Sequence, residues 1–205
     1  METIRLNWSN AHTHGDLWIS HHRFRHKLFV ERLSWDLPQF EDLEFDQFDT
    51  PAAEYLVVVD GMRTVQGCVR LSPTTMPYMA KTLWPEMLGD TPPVDRKVWE
   101  ATRFGVDSRL DAVERKIVAL RLIFAAQTLG LDRGLSHLLG VMPLSIFRVC
   151  LQKEGCCLNF LGKPQRIAGH LVGAALIEIS RSVAAHLKSE IEKYTSATLR
   201  QVRTA

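Results

Sequence analysis

Residues 55–71 read YLVVVDGMRTVQGCVRL, and this stretch predicts a β-hairpin. The apolar run 55–59 is typical of a buried strand. Asp60 and Gly61 follow it as a turn pair, and residues 64–71 are the expected antiparallel partner. The hairpin is the part of the chain that most clearly indicates a sheet.

Strand and helix patterns lie on both sides of this hairpin. Strands are predicted over 3–8, 98–106, 136–142, 157–161 and 171–179. Helices are predicted over 21–33, 78–83, 111–130, 143–155 and 180–194. The polar segment 36–51, which has a proline near each end, is predicted to be a loop. An opening helix, antiparallel strands and then a β-α-β-α order together predict a mixed α/β fold (an α+β mixed sheet).

Length and composition limit the class of protein. A chain of 205 residues, with 46% hydrophobic and 23% charged residues, is expected to form one domain with an adequate core. The net charge of +2 excludes a strongly basic nucleic-acid binder and a polyacidic disordered chain. No apolar run is long enough for a membrane span or a signal peptide. The cysteines form no C-x-x-C pair, so we expect reduced thiols, a cytoplasmic protein and no bound metal.

The small net charge conceals an uneven distribution. Residues 33–62 contain eight acidic residues and no Lys or Arg, whereas the rest of the chain carries all 25 basic residues and 23 − 8 = 15 acidic ones. The densest part of the acidic segment contains Glu44, Asp46 and Asp49. Four interpretations remain open: a solvated loop, a cation site, recognition of a cationic partner, and pairing with internal arginines. A calcium loop is disfavoured because the required glycine is missing.

Three arginines are candidate partners for these acids. Arg25 lies one helical turn before Phe29, and Arg70 ends an apolar strand, where a buried arginine normally needs a carboxylate. Glu100 and Arg103 face opposite sides of an ideal strand, and only a local bulge, which sequence cannot establish, would bring them together. An arginine of this kind, taken singly, is more often part of a structural ion pair than a ligand contact.

Taken in order, these residues resemble one family. The ordered series is similar to that of the acyl-homoserine-lactone synthases, the autoinducer synthases of quorum sensing. It consists of R-x-x-x-F at Arg25 and Phe29, then Trp35, then E-x-D-x-x-D at 44–49, then Arg70, and finally E-x-x-R-F at 100–104. The resemblance implies one autoinducer-synthase domain over residues 1–205. It also implies a general N-acetyltransferase-like α-β-α sandwich with a V-shaped cleft between two central strands.

The resemblance also implies a reaction. An amine of S-adenosylmethionine attacks an acyl thioester, and its carboxylate then closes a homoserine lactone and expels methylthioadenosine. Glu100 is the first candidate for the base, directly or through water, and Asp46 the second. Arg103 is expected to hold the substrate carboxylate. S-adenosylmethionine is the substrate and no cofactor is implied. The expected residues on its side of the site are Arg25, Phe29, Trp35, Glu44, Asp46, Asp49, Arg70, Arg103 and Phe104, with oxyanion donors on the backbone near Phe104 and Gly105.

The acyl group of the donor is expected to bind to residues in the second half of the polypeptide. Met142, Leu144, Ile146 and Phe147 are the predicted lining, although they are equally compatible with ordinary core residues. Because Ser145 is the only hydroxyl there, we predict an unsubstituted or branched acyl group. The expected donor is acyl carrier protein or acyl-coenzyme A. Four basic residues could dock it, or could simply form a solvated surface: Arg148, Lys153, Lys163 and Arg166. The alternatives are an N-acyltransferase acting on a different amine and a relative that binds without turnover.

Overall fold

A computed structural model describes residues 1–167 and 169–204, with the backbone alone for 197–204. The strands are β1 (Glu2–Asn7), β2 (Gln39–Phe40), β3 (Leu43–Glu44), β4 (Glu54–Val59), β5 (Val65–Pro73), β6 (Val98–Val106), β7 (His137–Pro143), β8 (Leu158–Phe160), β9 (Gln165–Ile167) and β10 (His170–Glu178). The helices are α1 (Gly15–Arg25), with a π-helical continuation over His26–Arg32, α2 (Met79–Leu83), α3 (Ala112–Asp132), α4 (Leu144–Ile146), with a π-helical continuation over Phe147–Leu151, and α5 (Arg181–Thr204).

Eight of the strands form one sheet. Its order is β1-β4-β5-β6-β7-β10-β8, with β9 pairing to β10. The predicted hairpin is confirmed as β4 and β5, in which Leu56 lies opposite Val69. The pairs along the sheet are antiparallel except β6 with β7, which is parallel. The mixed sheet predicted from the element order is therefore confirmed.

The parallel pair opens into a cleft. Strands β6 and β7 are paired only from Val98 opposite His137 to Ala101 opposite Gly140. Strand β6 continues to Val106 without β7 beside it. This separation is the expected V-shaped cleft between central strands.

Helices cover both faces of the sheet and make it a sandwich. Helix α1 packs on one face against β1, β4 and β5, through residues such as Phe24, Leu28 and Val57. Helix α2 contacts the same face near β6 and β7. Helices α3 and α5 pack on the opposite face and bury the largest apolar cluster, which includes Val69 and Leu122. Each strand therefore presents alternate side chains to two different environments.

Most predicted elements are present, and the differences have physical reasons. Helix α1 begins at Gly15 rather than 21, because its buried face includes His21, His22 and Arg25, which interrupt the apolar periodicity. The predicted acidic loop contains the two-residue strands β2 and β3. Strand β9 was not predicted, and it is only three residues long. Helix α5 extends past the predicted end at 194.

Two further observations concern the whole described chain. None of the helices within residues 1–167 and 169–204 is long and apolar enough to cross a membrane. Cys68, Cys150, Cys156 and Cys157 are all free thiols. Burial raises the pKa of the Cys68 thiol to about 12, so this thiol stays protonated.

Candidate active site

A buried network of six charged side chains lies between α1, the acidic segment and strands β5 and β6. Its three cations and three anions are drawn from four separate parts of the chain, so folding assembles it. None of the six has a side-chain exposure above 8%. The formal charges cancel, which is the condition for burying so many ions. The members are Arg25, Glu44, Asp46, Asp49, Arg70 and Arg103.

Arg25 is fully occupied inside this network. Its Nε donates to Glu44 Oε2 at 2.5 Å, and its Nη1 and Nη2 donate to the two oxygens of Asp49 at 2.8 Å each. The second interaction is the bidentate pairing that suits a guanidinium and a carboxylate. Tyr55 also donates its hydroxyl to Asp49 at 2.8 Å. Arg25 therefore ties α1 to the acidic segment.

Arg70 is occupied in the same way. Its Nη1 donates to Asp46 Oδ1 at 2.6 Å and lies 2.8 Å from Asp49, and its Nη2 donates to Asp46 Oδ2 at 3.1 Å. Its Nε donates to the Thr102 hydroxyl at 3.0 Å. All three guanidinium nitrogens thus have oxygen acceptors within the protein.

Arg103 differs from the other two arginines. Its Nη2 donates to Glu44 at 2.9 Å and to Asp46 at 2.7 Å, and its Nε donates to Glu44 at 3.2 Å. Its Nη1 has a single partner among the described residues, the sulfur of Met79 at 3.2 Å. A thioether is a weak acceptor. Arg103 is therefore the arginine of this network with a donor available for a substrate carboxylate.

The electrostatics of the network follow from burial and pairing. Burial alone would raise the pKa of Asp49, but hydrogen bonds and charge from Arg25, with charge from Arg70, hold this pKa well below its usual range. Burial would likewise lower the pKa of Arg25, and Asp49 and Glu44 reverse the effect and raise it. Burial and the charge of Asp49 together raise the pKa of Tyr55. At neutral pH Asp49 and Arg25 are therefore ionised, and Tyr55 is a hydrogen-bond donor.

A bulge in β6 places Arg103 in the network. Cys68 lies opposite Gly105 and Arg70 lies opposite Thr102, so β6 has one more residue than β5 between these pairs. Arg103 occupies the extra position with a φ of 54°, in the left-handed region. The bulge makes Thr102 and Arg103 face the same side. The convergence that sequence could not establish is present.

The same bulge moves Phe104 to the other face. In an unbroken strand Phe104 would share the side of Glu100, but in the structure it packs with the apolar cluster against α3. Gly105 returns to the α1 face, where a Cβ would lie 2.2 Å from Leu28 Cδ2. The structure thus does not place the Phe104 side chain beside the arginines, where the S-adenosylmethionine contact was expected.

Glu100 lies next to this network but makes different contacts. Its carboxylate accepts hydrogen bonds from the backbone N–H groups of Met79 at 3.0 Å and Ala80 at 2.6 Å. The residue is 1% exposed. Burial raises the pKa of Glu100, and the two backbone N–H groups only partly offset this. A carboxylate with a raised pKa is a better proton acceptor than an ordinary one.

One aromatic ring lies against Arg103, and a second ring stacks on the first. Phe29 lies 5.8 Å from the Arg103 guanidinium, within cation-π range. Trp35 stacks on Phe29 with a centroid distance of 5.1 Å and is 42% exposed. Trp35 therefore offers exposed ring surface for stacking, separated from Arg103 by the Phe29 ring.

An apolar cavity of about 50 Å³ lies on the opposite face of β6. It begins at the point where β6 and β7 separate and extends between α3 and α4. The one amide in its lining, Gln127, is engaged at both ends, because its Nε2 donates to Glu178 O and its Oε1 accepts from Ser180 N. The lining residues are Val69, Ala101, Phe104, Leu122, Ile123, Ala126, Gln127, Leu138, Met142, Ile146, Cys150, Leu151 and Ile177.

The residues expected to form an acyl pocket are distributed over three places. Met142 and Ile146 line the apolar cavity. Leu144 lines a second cavity, of about 250 Å³, on the other side of α4 together with Arg148. Phe147 is fully buried and packs edge-on against Phe160 with a centroid distance of 5.3 Å.

The basic residues expected to dock the donor are all exposed: Arg148, Lys153, Lys163 and Arg166. Arg148 is the one that lines a cavity. Exposure of these residues fits both a donor-docking role and ordinary solvation.

The structure favours one of the four interpretations of the acidic segment. Glu44, Asp46 and Asp49 are paired with internal arginines, so these three carboxylates do not form an open anionic wall for a cationic substrate. No group of three or more metal-ligating side chains occurs in the described ranges. Sequence reasoning missed Met79, Tyr55 and Thr102, because nothing in their local pattern distinguishes them from ordinary hydrophobic or polar residues.

Comparisons with known proteins agree with this arrangement. The autoinducer synthase family model matches residues 9–187. The chain is 32% identical over 155 residues to an acyl-homoserine-lactone synthase of Pseudomonas aeruginosa, covering 74% of each chain.

Solved structures give the same result for the fold. A CoA-dependent acyl-homoserine lactone synthase, BjaI, with SAM and isopentyl-CoA, superposes with a TM-score of 0.83 at 28% identity, covering 92% of this chain and 88% of that one. A protein from Lactobacillus plantarum assigned as an N-acetyltransferase shares the fold, with a TM-score of 0.55 at 18% identity over 87% of this chain and 98% of that one. With its family match and its shared sandwich fold, the chain belongs to the autoinducer synthase family.

Proposed function

We infer that the protein is an acyl-homoserine-lactone synthase that uses S-adenosylmethionine as one substrate and an acyl thioester as the other. The observation that carries the assignment of roles is the position of Arg103. Its Nη1 donor, which is held only by the weak acceptor Met79 Sδ, lies on one face of β6, and the apolar cavity lies on the other face of the same bulged segment. A carboxylate held at the first face and an acyl chain held at the second would meet at the cleft between β6 and β7.

We propose these roles for the charged face. Arg103 binds the carboxylate of S-adenosylmethionine, and Trp35 with Phe29 offers a ring surface for its adenine or sulfonium. Glu100 accepts the proton of the substrate amine, directly or through a water molecule. Arg25, Arg70, Glu44, Asp46 and Asp49 hold Arg103 in place. Asp46 is a less suitable base, because the donors to its carboxylate oxygens include cationic arginines, whereas those to Glu100 are neutral backbone N–H groups.

The chemistry proceeds in two bond-forming steps. The neutral amine attacks the thioester carbonyl, which forms an amide and releases the donor thiol. The carboxylate oxygen then attacks the γ-carbon, which breaks the carbon–sulfur bond and expels methylthioadenosine. Backbone N–H groups of β6 near Phe104 and Gly105, beyond its pairing with β7, are proposed to stabilise the oxyanion of the first step.

The cavity supports a short acyl group without a 3-oxo substituent. Its 50 Å³ corresponds to roughly three to five water-sized groups, at about 10–15 Å³ each. Gln127 has its Oε1 and one Nε2–H engaged, so a 3-oxo oxygen would find at most the second Nε2–H or the weak Cys150 thiol donor in an otherwise apolar wall, which disfavours it. We propose Met142 and Ile146 as acyl contacts, with Leu144 and Phe147 supporting them from behind.

The acyl donor is proposed to approach the exposed basic residues Arg148, Lys153, Lys163 and Arg166. Acyl carrier protein and acyl-coenzyme A both present anionic groups that suit them. We further propose a single domain over residues 1–205 that works in the cytoplasm, which the four unpaired thiols support.

The test is to incubate the purified protein with S-adenosylmethionine and a series of acyl-coenzyme A and acyl carrier protein donors. Mass spectrometry should detect an acyl-homoserine lactone and methylthioadenosine in equal amounts. Acylation of an amine without release of methylthioadenosine would instead indicate an N-acyltransferase of the same fold.

A further inference from the structure

Met79 lies at the junction of the two groups with the most direct proposed roles. Its backbone N–H donates to Glu100 Oε2 at 3.0 Å, and its sulfur accepts from Arg103 Nη1 at 3.2 Å. The residue begins α2 and is 8% exposed. One residue thus contacts the proposed base through its backbone and the proposed carboxylate-binding group through its side chain.

The contact with the Met79 sulfur engages Nη1, the one guanidinium nitrogen of Arg103 that does not donate to a carboxylate. The other two nitrogens of Arg103 donate to Glu44 and Asp46. The guanidinium nitrogens of Arg25 and Arg70 likewise donate to oxygen acceptors. A buried guanidinium N–H with no acceptor at all would carry a desolvation cost. The thioether reduces this cost in the unliganded enzyme while remaining a much weaker acceptor than a carboxylate.

The side chain of Met79 is suited to exchange. Its backbone is fixed by Glu100 at the first turn of α2, whereas the side chain has three rotatable bonds and a polarisable sulfur that adapts to new neighbours. Replacement of an N–H···S contact by a charge-assisted N–H···O⁻ contact is favourable, so the substrate carboxylate can displace the sulfur without moving the backbone of α2.

We propose that Met79 is a positioning residue whose thioether holds the place of the substrate carboxylate on Arg103 Nη1 and yields it when S-adenosylmethionine binds. The weakness of the thioether as an acceptor then sets the affinity for the carboxylate. This inference rests on the proposed function, because it requires that Arg103 receive the carboxylate of S-adenosylmethionine.

The test compares two ligands on three proteins by isothermal titration calorimetry. The ligands are S-adenosylmethionine and its decarboxylated analogue, which keeps the sulfonium, amine and adenine. The proteins are the wild type, Met79→Gln, whose amide oxygen is a strong acceptor of similar reach, and Met79→Leu, which has no acceptor. Met62→Gln is the control, because Met62 is 85% exposed.

Met79→Gln should weaken S-adenosylmethionine binding roughly tenfold, which is the effect of one competing charge-assisted hydrogen bond. It should change the dissociation constant of the decarboxylated analogue less than about twofold. Met79→Leu should bind S-adenosylmethionine at least as tightly as the wild type, and Met62→Gln should match the wild type for both ligands. Equal weakening of both ligands by Met79→Gln, or no weakening of either, would overturn the role of Met79. Absence of S-adenosylmethionine binding by the wild type would overturn the proposed function itself.

Discussion

The two faces of β6 between residues 98 and 106 have opposite chemical character. One face presents Glu100, Thr102 and Arg103 to a buried ionic network. The other presents Ala101 and Phe104 to an apolar cavity. The strand is the same, and a single extra residue at the bulge decides which side chain goes to which side.

Under the proposed function, this difference would let one strand serve two chemically unlike substrates. The charged face is held rigidly, because most of its donors and acceptors are already paired. The apolar face is held by packing alone and leaves empty space. The charged face is therefore expected to be sensitive to loss of a partner, whereas the apolar face is expected to be sensitive to a change of volume.

The largest expected effect comes from breaking the charged face at Glu100. Glu100→Gln should lower kcat by roughly 1,000-fold, within the usual range for loss of a general base. In the wild type, activity should fall with decreasing pH through a value above the ordinary carboxylate pKa, because burial raises the pKa of Glu100. The check is the pH profile of kcat for both proteins. A Glu100→Gln enzyme with near-normal turnover would remove Glu100 from the mechanism.

The next effect is on stability and distinguishes buried from exposed ion pairs of the same acidic segment. Asp49→Asn should lower the free energy of unfolding by about 3 kcal/mol, because it takes one of the charged partners from both Arg25 and Arg70 and leaves the buried network one negative charge short. Asp42→Asn is the control, since Asp42 pairs with Arg23 at the surface and its loss should leave stability unchanged within error. Urea unfolding measures both. Similar free energies of unfolding for the two variants would contradict the claim that the buried network stabilises the fold more than the surface ion pair does.

A third effect sharpens the contrast from the apolar face. Ala126→Val adds volume to the cavity wall and should shift acyl preference toward shorter chains, by roughly fourfold for each methylene excluded. Ala184→Val is the matched control, because Ala184 is equally buried, at 7% exposure, in a helix that does not line the cavity. The readout is the ratio of kcat/KM values for donors of increasing chain length. An unchanged ratio in Ala126→Val would place the acyl chain elsewhere.

The smallest effect concerns the histidines behind the charged face. Burial lowers the pKa of His21 well below 6.5, and burial also lowers that of His22. The folded state therefore keeps both histidines neutral. The unfolded chain takes up protons near pH 6.5, before the folded chain does, so the free energy of unfolding should decrease as the pH falls below about 6.5. His21→Phe should flatten the fall of Tm between pH 7 and pH 5, whereas the exposed His12→Gln should not. An unchanged slope in His21→Phe would assign the pH dependence to other groups.

Much of the fold could be predicted from sequence, since apolar alternation located the strands of the hairpin and of β6. The beginning of α1 could not, because buried His21, His22 and Arg25 are polar by composition and apolar only by position. Those side chains are stabilised by partners far along the chain, such as the backbone of Glu44 for His22, and periodicity does not contain that information.

The candidate site was predictable in its members but not in its geometry. The series from Arg25 to Phe104 contains all six ionic-network residues, and Glu100 beside them, through the family resemblance. The faces of Arg103 and Phe104 depended on a one-residue bulge, and Met79 came from a Pro-rich segment without a distinguishing pattern. Both features arise from tertiary pairing rather than from local preference.

The most direct test of the account is two-substrate steady-state kinetics on Arg103→Lys and Ala126→Val. Lysine keeps the charge but loses the planar fork, so Arg103→Lys should raise the KM for S-adenosylmethionine by roughly tenfold and leave the KM for the acyl donor within twofold. Ala126→Val should do the reverse. If either variant raises both KM values equally, the two faces of β6 do not bind separate substrates and the account is contradicted.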